Sequence, residues 1–357
     1  VEGTIEQAWS SDHFESIRQA FRSNQKHPAC NTCWNEESIH GRSQRRAFTL
    51  KQNRFGNAPT MSAPNIKTIS WSFSNTCNFA CRTCSLELST GWLRETKLLA
   101  EQGDSQAARN LERHVKTQWD DTQWQQIEPM LPEIVYFDII GGEPLINPRL
   151  PQILDRIIDS GHAQHINLMI TTNGSTGPTA QWVERLKQFK SLLLNFSIDA
   201  VTEDTFKYVR TGDWQQVSDN IDQWKRQDWV DEMRCNATFS ILNIWDCDRI
   251  LHWLDRKFGV MNVGYNWVEV PKYYNAVNLP EQAKQHIQKK STYWHSKKVL
   301  PQMWSSQGNE KQWTEFVRRT EWLDQSRDEP MQKYMPSLFE IINKFSTHKE
   351  HNDRIKF

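Results

Sequence analysis

The stretch from Asn75 to Ser85 reads NTCNFACRTCS, and it sets Cys77, Cys81 and Cys84 on one short segment as CxxxCxxC. It follows the run TISWSFS, Thr68 to Ser74, whose alternation has the period of a half-buried strand. The thiols therefore fall on the loop that leaves a strand. A [4Fe-4S] cluster is normally closed by four cysteines, so a loop that offers three leaves one iron open to a cofactor. The spacing also differs from the ferredoxin run, in which CxxCxxC continues to a fourth cysteine followed by proline.

Outward from this loop, strand-like and helix-like segments alternate from about residue 66 to 275. The pattern predicts strands at Thr68 to Ser74, Ile134 to Ile140, Ile166 to Thr171, Leu192 to Ile198, Cys235 to Leu242 and Val263 to Val270. Between them it predicts helices at Leu150 to Ser160, Ala180 to Phe189, Val217 to Gln227 and Asp248 to Phe258. Successive β/α units of this kind imply a parallel sheet or partial barrel with right-handed crossovers. The segment Leu86 to Pro129 is long for one crossover and reads as one or two long helices. In parallel β/α folds the chemistry lies on loops at the carboxyl ends of the strands. Those loops are polar here: the cysteines, then GGEP at Gly141 to Pro144, TTNGS at Thr171 to Ser175, FSIDA with Ser197 and Asp199, the turn near Asn243, and Glu269 before Pro271.

Composition limits the partners. A chain of 357 residues with 37% hydrophobic content can bury a full core. Lys plus Arg and Asp plus Glu number 43 each, so no global field draws nucleic acid or anionic lipid, and neither is expected as a partner. No apolar run has the length of a membrane span, and residues 1 to 25 lack the apolar core of a signal peptide, which points to a cytoplasmic protein. In that reducing compartment seven cysteines, an odd number, argue against a disulfide framework and toward metal or redox chemistry. The chain begins with Val1 instead of Met, which leaves processing or a longer product open. Its 17 tryptophans read mostly as packing residues.

With CxxxCxxC after the first strand and GGEP after the second, the sequence resembles the radical S-adenosylmethionine (SAM) superfamily over roughly residues 66 to 275. The resemblance implies an α/β fold, a partial (β/α)6 barrel at 61–275. It is preceded by an N-terminal helix plus CxxCW segment at 1–60 and followed by a helical region at 276–357. It also implies a [4Fe-4S] cluster on Cys77, Cys81 and Cys84 whose open iron chelates SAM. One electron, from a donor such as flavodoxin or ferredoxin, then cleaves SAM to a 5′-deoxyadenosyl radical that takes hydrogen from the substrate. A zinc knuckle or buried thiols is the competing reading of the three cysteines.

Carried over residue by residue, Gly141, Gly142 and Glu143 match the segment that takes the SAM ammonium, against a plain tight turn. Ser197 and Asp199 match contacts to the ribose hydroxyls, against a helix cap or Asx-turn. Arg210 in YVRTG resembles the arginine that SPASM and twitch relatives aim at the SAM carboxylate, against a surface ion pair. Asn173 and Asn243 are further cofactor candidates or ordinary turn residues. The residue before the third cysteine, usually aromatic or aliphatic, is Thr83, which passes the packing of adenine to another side chain such as Phe79.

Cys30 and Cys33, in HPACNTCWNEE, resemble the CxxCW element of SPASM and twitch auxiliary-cluster domains, placed here before the barrel instead of after it. Two thiols do not complete a cluster. The readings are an auxiliary Fe-S cluster with ligands elsewhere, a zinc site completed by His27 or His40, or free thiols. Cys235 and Cys247 read as buried thiols. The resemblance points to hydrogen abstraction from a peptide or protein substrate. The alternatives are oxidation or rearrangement of a small metabolite, and a non-catalytic Fe-S electron carrier or sensor.

Overall fold

A computed structural model of the chain describes residues 3–41, 43–54, 66–116 and 121–345. Six strands lie side by side in sequence order: β1 (Thr68–Ser72), β2 (Tyr136–Ile140), β3 (Asn167–Thr172), β4 (Ser191–Ser197), β5 (Glu232–Phe239) and β6 (Val263–Trp267). From β2 to β6 every neighbouring pair is parallel. The register sets Phe137 beside Leu168, Leu168 beside Leu192, Phe196 beside Cys235 and Phe239 beside Trp267. Parallel neighbours in sequence order need a crossover each. The helices Leu150–Asp159, Ala180–Leu186, Trp214–Lys225 and Cys247–Phe258 supply those after β2 to β5. This is the expected partial (β/α)6 barrel.

Side-chain alternation explains the layering. Phe137, Ile139, Leu168, Ile170, Leu194, Phe196, Cys235, Ala237 and Phe239 are all buried on one face. The intervening Asp138, Met169, Thr171, Ser197, Asn236 and Thr238 are half-buried on the other. The helix Leu150–Asp159 meets this core with Leu150, Ile153, Leu154 and Ile157, an i, i+3, i+4, i+7 stripe with Pro151 in its first turn. Each such side chain contributes about 1.5–3 kcal/mol by burial, and Leu154→Ala would cost about 2–5 kcal/mol.

Several expectations need correction. The segment Leu86 to Pro129 forms short helices, Leu93–Glu101, Ser105–Lys116 and Asp121–Ile127, instead of long ones. The first break falls at Gly103, whose φ of +89° is open to glycine and strained for other residues. β5 ends at Phe239, before the expected Leu242, because the Asn243 side chain takes the Ser240 N–H at 2.7 Å and folds the next residues into a turn. β6 stops at Trp267, which leaves Glu269 exposed beyond it. A helix at Glu203–Arg210, absent from the expected set, precedes Trp214–Lys225.

The described chain divides into two compact units, one of residues 1–69 and 120–135, the other of 70–119 and 136–357. The helical region after residue 276 thus shares a unit with the sheet. In the first unit the expected N-terminal helix spans Asp12–Arg22, capped by Ser11, whose Oγ accepts the Phe14 N–H. None of its residues is buried; Phe14 is 39% and Phe21 40% exposed, so the apolar stripe at Phe14, Ile17, Ala20 and Phe21 builds no core. No helix among the described residues is long and apolar enough to cross a membrane.

Candidate active site

The cysteine loop leaves β1 and is gripped by the segment that follows it. Thr90 Oγ1 accepts the Cys77 N–H at 3.0 Å and donates to the Cys77 carbonyl at 3.1 Å. Ser89 Oγ donates to the Phe79 carbonyl, and the Trp92 indole donates to the Cys81 carbonyl at 2.9 Å. From the end of the helix Glu203–Arg210, Thr211 Oγ1 accepts the Ala80 N–H at 2.7 Å and the Val209 carbonyl accepts the Arg82 N–H at 2.9 Å. Thr211 holds this position at φ 64°, a left-handed conformation that a β-branched residue adopts only under constraint.

The loop presents three half-buried thiols. Cys77 Sγ accepts the Phe79 N–H at 3.4 Å, with Asn173 Nδ2 at 3.8 Å. The Cys81 and Cys84 thiols lie 3.7 Å from the Arg210 and Ser85 carbonyls. Burial pushes Cys81 up to about 11 and Cys84 up to about 12, so both are neutral as free thiols near pH 7.

The GGEP loop packs directly on this one. Gly141 and Gly142 have φ of +95° and +55°, and a Cβ on either would stand 2.3 Å from Ser72 Oγ or 2.2 Å from the Thr76 carbonyl. Only glycine fits both demands. The Glu143 N–H then donates to the Thr76 carbonyl at 2.7 Å. The Glu143 carboxylate is fully buried; Oε1 accepts from the Leu145 N–H at 3.0 Å and Thr172 Oγ1 at 2.8 Å, and Oε2 accepts the Asn173 N–H at 2.5 Å. Burial outweighs these bonds and the nearby Arg210 charge, and raises Glu143 to about 7.

Asn173, after β3, donates to Asn78 Oδ1 at 2.9 Å and accepts the Ser175 N–H at 2.8 Å, which ties the third loop to the cysteine loop. Ser197 ends β4 half-buried, beside Asn236 of β5. Asp199 is buried and spans two partners, the Thr238 N–H at 2.7 Å and Arg210 Nη1 at 2.5 Å. Arg210 is also buried, so its ion pair is an interior one and not the surface pair that the sequence allowed. Burial alone would weaken its hold on its proton; the Cys81 and Asp199 charges overcome that and raise it. Its Nε is buried without a hydrogen-bond partner. Asn243 donates to the Asp199 and Thr238 carbonyls at 2.9 Å each and accepts from the Ser240 N–H and Oγ, so its amide has no capacity left for a ligand.

Phe79 does not stand free to pack on an adenine. Its ring meets Phe206 edge-on at 6.0 Å and lies against Gly212, where a Cβ would fall 2.3 Å from its Cζ. Asn78, Thr90, Trp92 and Thr211 escaped the sequence reading, since their partners lie in other loops. Only the place of Asn78 within the cysteine segment and of Thr211 within YVRTG hinted at two of them.

Cys30 and Cys33 form a separate group. Cys30 closes the turn Pro28–Cys30, and Cys33 lies in the first turn of the helix Asn31–His40; both are half-buried. Of the histidines considered for a zinc site with them, His27 accepts the Ala29 N–H at its Nδ1 at 3.1 Å and has its Nε2 3.2 Å from Ser16 Oγ. The His40 side chain lies outside the described residues.

The three-thiol donor set fits the [4Fe-4S] cluster that the resemblance implies. Its Cys77 sulfur already receives N–H groups, and hydrogen bonds to sulfur tune such clusters. Among the described residues no three or more His, Cys, Asp or Glu side chains close on a single metal ion. A four-iron cluster spreads its ligands too widely to need that.

Residues 71–243 match the family model described as Radical SAM superfamily. A GTP 3',8-cyclase of Syntrophomonas wolfei subsp. wolfei is 28% identical over 158 residues, 44% of this chain and 42% of that protein. Among solved structures, anSMEcpe with bound AdoMet and Cp18Cys peptide is 14% identical at a TM-score of 0.42, over 62% of this chain and 57% of that one. Streptococcus suis SuiB bound to S-adenosylmethionine is 13% identical at a TM-score of 0.37, over 76% and 53%. The chain thus spans less than two thirds of these relatives. Residues 71–243, with their strand order, cysteine loop and GGEP turn, are thus similar to the radical SAM superfamily domain.

Proposed function

We propose that the chain is a SPASM- or twitch-like radical SAM enzyme that reductively cleaves SAM and abstracts hydrogen from a peptide or protein substrate, with electrons from a flavodoxin or ferredoxin. The observation that carries the SAM site is Arg210, a buried guanidinium beside the cysteine loop that pairs with Asp199 and leaves its Nε without a hydrogen-bond partner. Bound on Cys77, Cys81 and Cys84, the cluster supplies the electron and the open iron. The chain's own residues supply place and charge. Arg210 Nε meets the SAM carboxylate, and Glu143, held ionised by the incoming ammonium, accepts from it. Gly141 and Gly142 let the backbone approach closely. Ser197 and Asp199 face the ribose, Asn173 fixes the cysteine loop through Asn78, and Asn243 braces Asp199 instead of touching the cofactor. Cys30 and Cys33 are half of an auxiliary Fe-S site.

The peptide assignment rests on the resemblance. A small-molecule substrate is favoured by one observation, the 28% identity to a GTP 3',8-cyclase. Anaerobic turnover with deuterated candidates of both classes tests the choice. Deuterium in 5′-deoxyadenosine from a peptide and from no small molecule supports the first reading, and the converse supports the second.

A further inference from the structure

We infer that the helix Glu310–Arg327 and the turn after it are part of the reaction centre, with Arg82 the positioning residue through which they hold Cys81 and Cys84. This rests on the cluster assignment above and extends it to a region beyond residues 71–243. Arg82 stands between two of the three cysteines and is fully buried. Its Nε donates to the Tyr208 carbonyl at 2.8 Å, and its guanidinium lies 3.6 Å over the Tyr208 ring. Its Nη2 donates to Glu329 at 3.3 Å, and its Nη1 lies 2.8 Å from Asp324 as an ion pair that makes no hydrogen bond. Asp324 is itself fixed, accepting from the Tyr208 hydroxyl at 2.8 Å and from the Met331 N–H at 2.7 Å.

A second strap runs parallel to the first. Arg327 pairs with Glu95 at 2.8 Å, both buried, and lies 5.0 Å over the ring of Trp92. The Trp92 indole is the donor to the Cys81 carbonyl. Between the straps Leu86, Trp92, Trp322 and Leu323 form one apolar cluster against which Cys84 packs, so the helix also keeps water from that sulfur.

Stability alone does not call for this arrangement. Buried ion pairs are often no more stabilising than apolar side chains of the same shape. What two carboxylates around one guanidinium fix is position, because the planar group has few orientations that keep both charges close. The Arg82 backbone lies one residue from Cys81 and two from Cys84, so an error in this pairing moves two ligands together. The paired charges also set the field at the cluster: removing a carboxylate leaves Arg82 uncompensated, which favours the reduced, more negative cluster.

The test uses the full chain with Asp324→Asn and Glu329→Gln, singly and together, beside Glu315→Gln as a control on the same helix, where Glu315 pairs with Arg318 and Arg319. On cluster-free protein, hydrogen exchange should rise at residues 77–92 as well as around 319–331 in the double variant, and in neither place in the control. On reconstituted protein, the double variant should lose its cluster to chelator about fivefold or more faster, the effect of roughly 1 kcal/mol. Its midpoint potential should shift to more positive values. Arg82→Lys should keep the potential near wild type but not the slow release. If the double variant does not fold, Tyr208→Phe, which removes one hydroxyl bond to Asp324, takes its place, with faster exchange and release expected and the potential unchanged because both carboxylates remain. Exchange that rises only within 310–331, with release and potential unchanged, overturns the inference. A wild-type chain that takes up no iron overturns the functional reading instead, and the exchange comparison still decides whether the helix holds the loop.

Discussion

Cys77, Cys81 and Cys84 sit on a loop held by Thr90, Trp92, Thr211 and Arg82, whereas Cys30 and Cys33 sit where a short turn enters a helix. In the first group the neighbours address the sulfurs: N–H groups reach Cys77, and a buried guanidinium senses Cys77 and Cys81. In the second, the ring nitrogens of His27 meet the Ala29 N–H of its own turn and Ser16 of the preceding helix. Spacing nominates a metal site in both cases. The surroundings that hold the thiols and tune their charge distinguish them.

The largest effect expected is at the first group. Changing Cys77, Cys81 and Cys84 together to Ala should abolish the cluster and all SAM cleavage, read as iron content and absorbance after anaerobic reconstitution. Cys30→Ala with Cys33→Ala should leave the SAM-cleaving cluster in place. Equal loss of cleavage in both variants would erase the distinction.

Next is Arg210. Loss of one charge-assisted contact costs about 1.5–3 kcal/mol, so Arg210→Lys and Arg210→Ala should weaken SAM binding roughly ten- to hundred-fold with the cluster intact. Lysine should not rescue fully, lacking the planar fork. Arg210→Ala also strands the buried Asp199 and should lower stability by about 3–5 kcal/mol, so calorimetry on the lysine variant gives the cleaner reading.

Glu143 gives a pH signature. Its pKa is raised to about 7 by burial, so the folded chain holds this proton more tightly than the unfolded one. The stability it contributes is present in full below the unfolded value near 4.5 and is lost as pH rises through about 7. Across that window it should amount to no more than about 3 kcal/mol, and Glu143→Gln should flatten it. SAM affinity should move the other way, rising as Glu143 ionises. A denaturation series against pH that is the same for wild type and Glu143→Gln would contradict this.

The smallest effect belongs to the second group. His27→Ala should cost about 1 kcal/mol, the loss of a cap, and leave the iron content unchanged. A fall in iron with this variant would make His27 a ligand after all and narrow the difference between the two groups.

The sheet was legible because apolar runs such as LLLNF and the polar strand ends repeat in register with the helices between them. Boundaries slipped where one side chain decides them, as at Asn243 after β5. The cysteine and GGEP loops were legible as strand-end loops because their patterns are local. Thr211 and Arg82 were not, since their partners lie 131 and 247 residues away, and no local pattern reports such a bond. The exposure of Phe14 and Phe21 was hidden for a related reason: periodicity says which face is apolar but not what covers it.

The central claim is that the three-cysteine loop and the Arg210–Glu143 pair form one SAM-cleaving site. Its most direct test is anaerobic reconstitution, reduction with dithionite and quantification of products after addition of SAM. The account predicts 5′-deoxyadenosine and methionine in equal amounts, formed slowly even without substrate and absent from the triple cysteine variant. Cluster-loaded, reduced protein that neither binds nor cleaves SAM, with every substrate class supplied, would contradict it and return the chain to the electron-carrier reading.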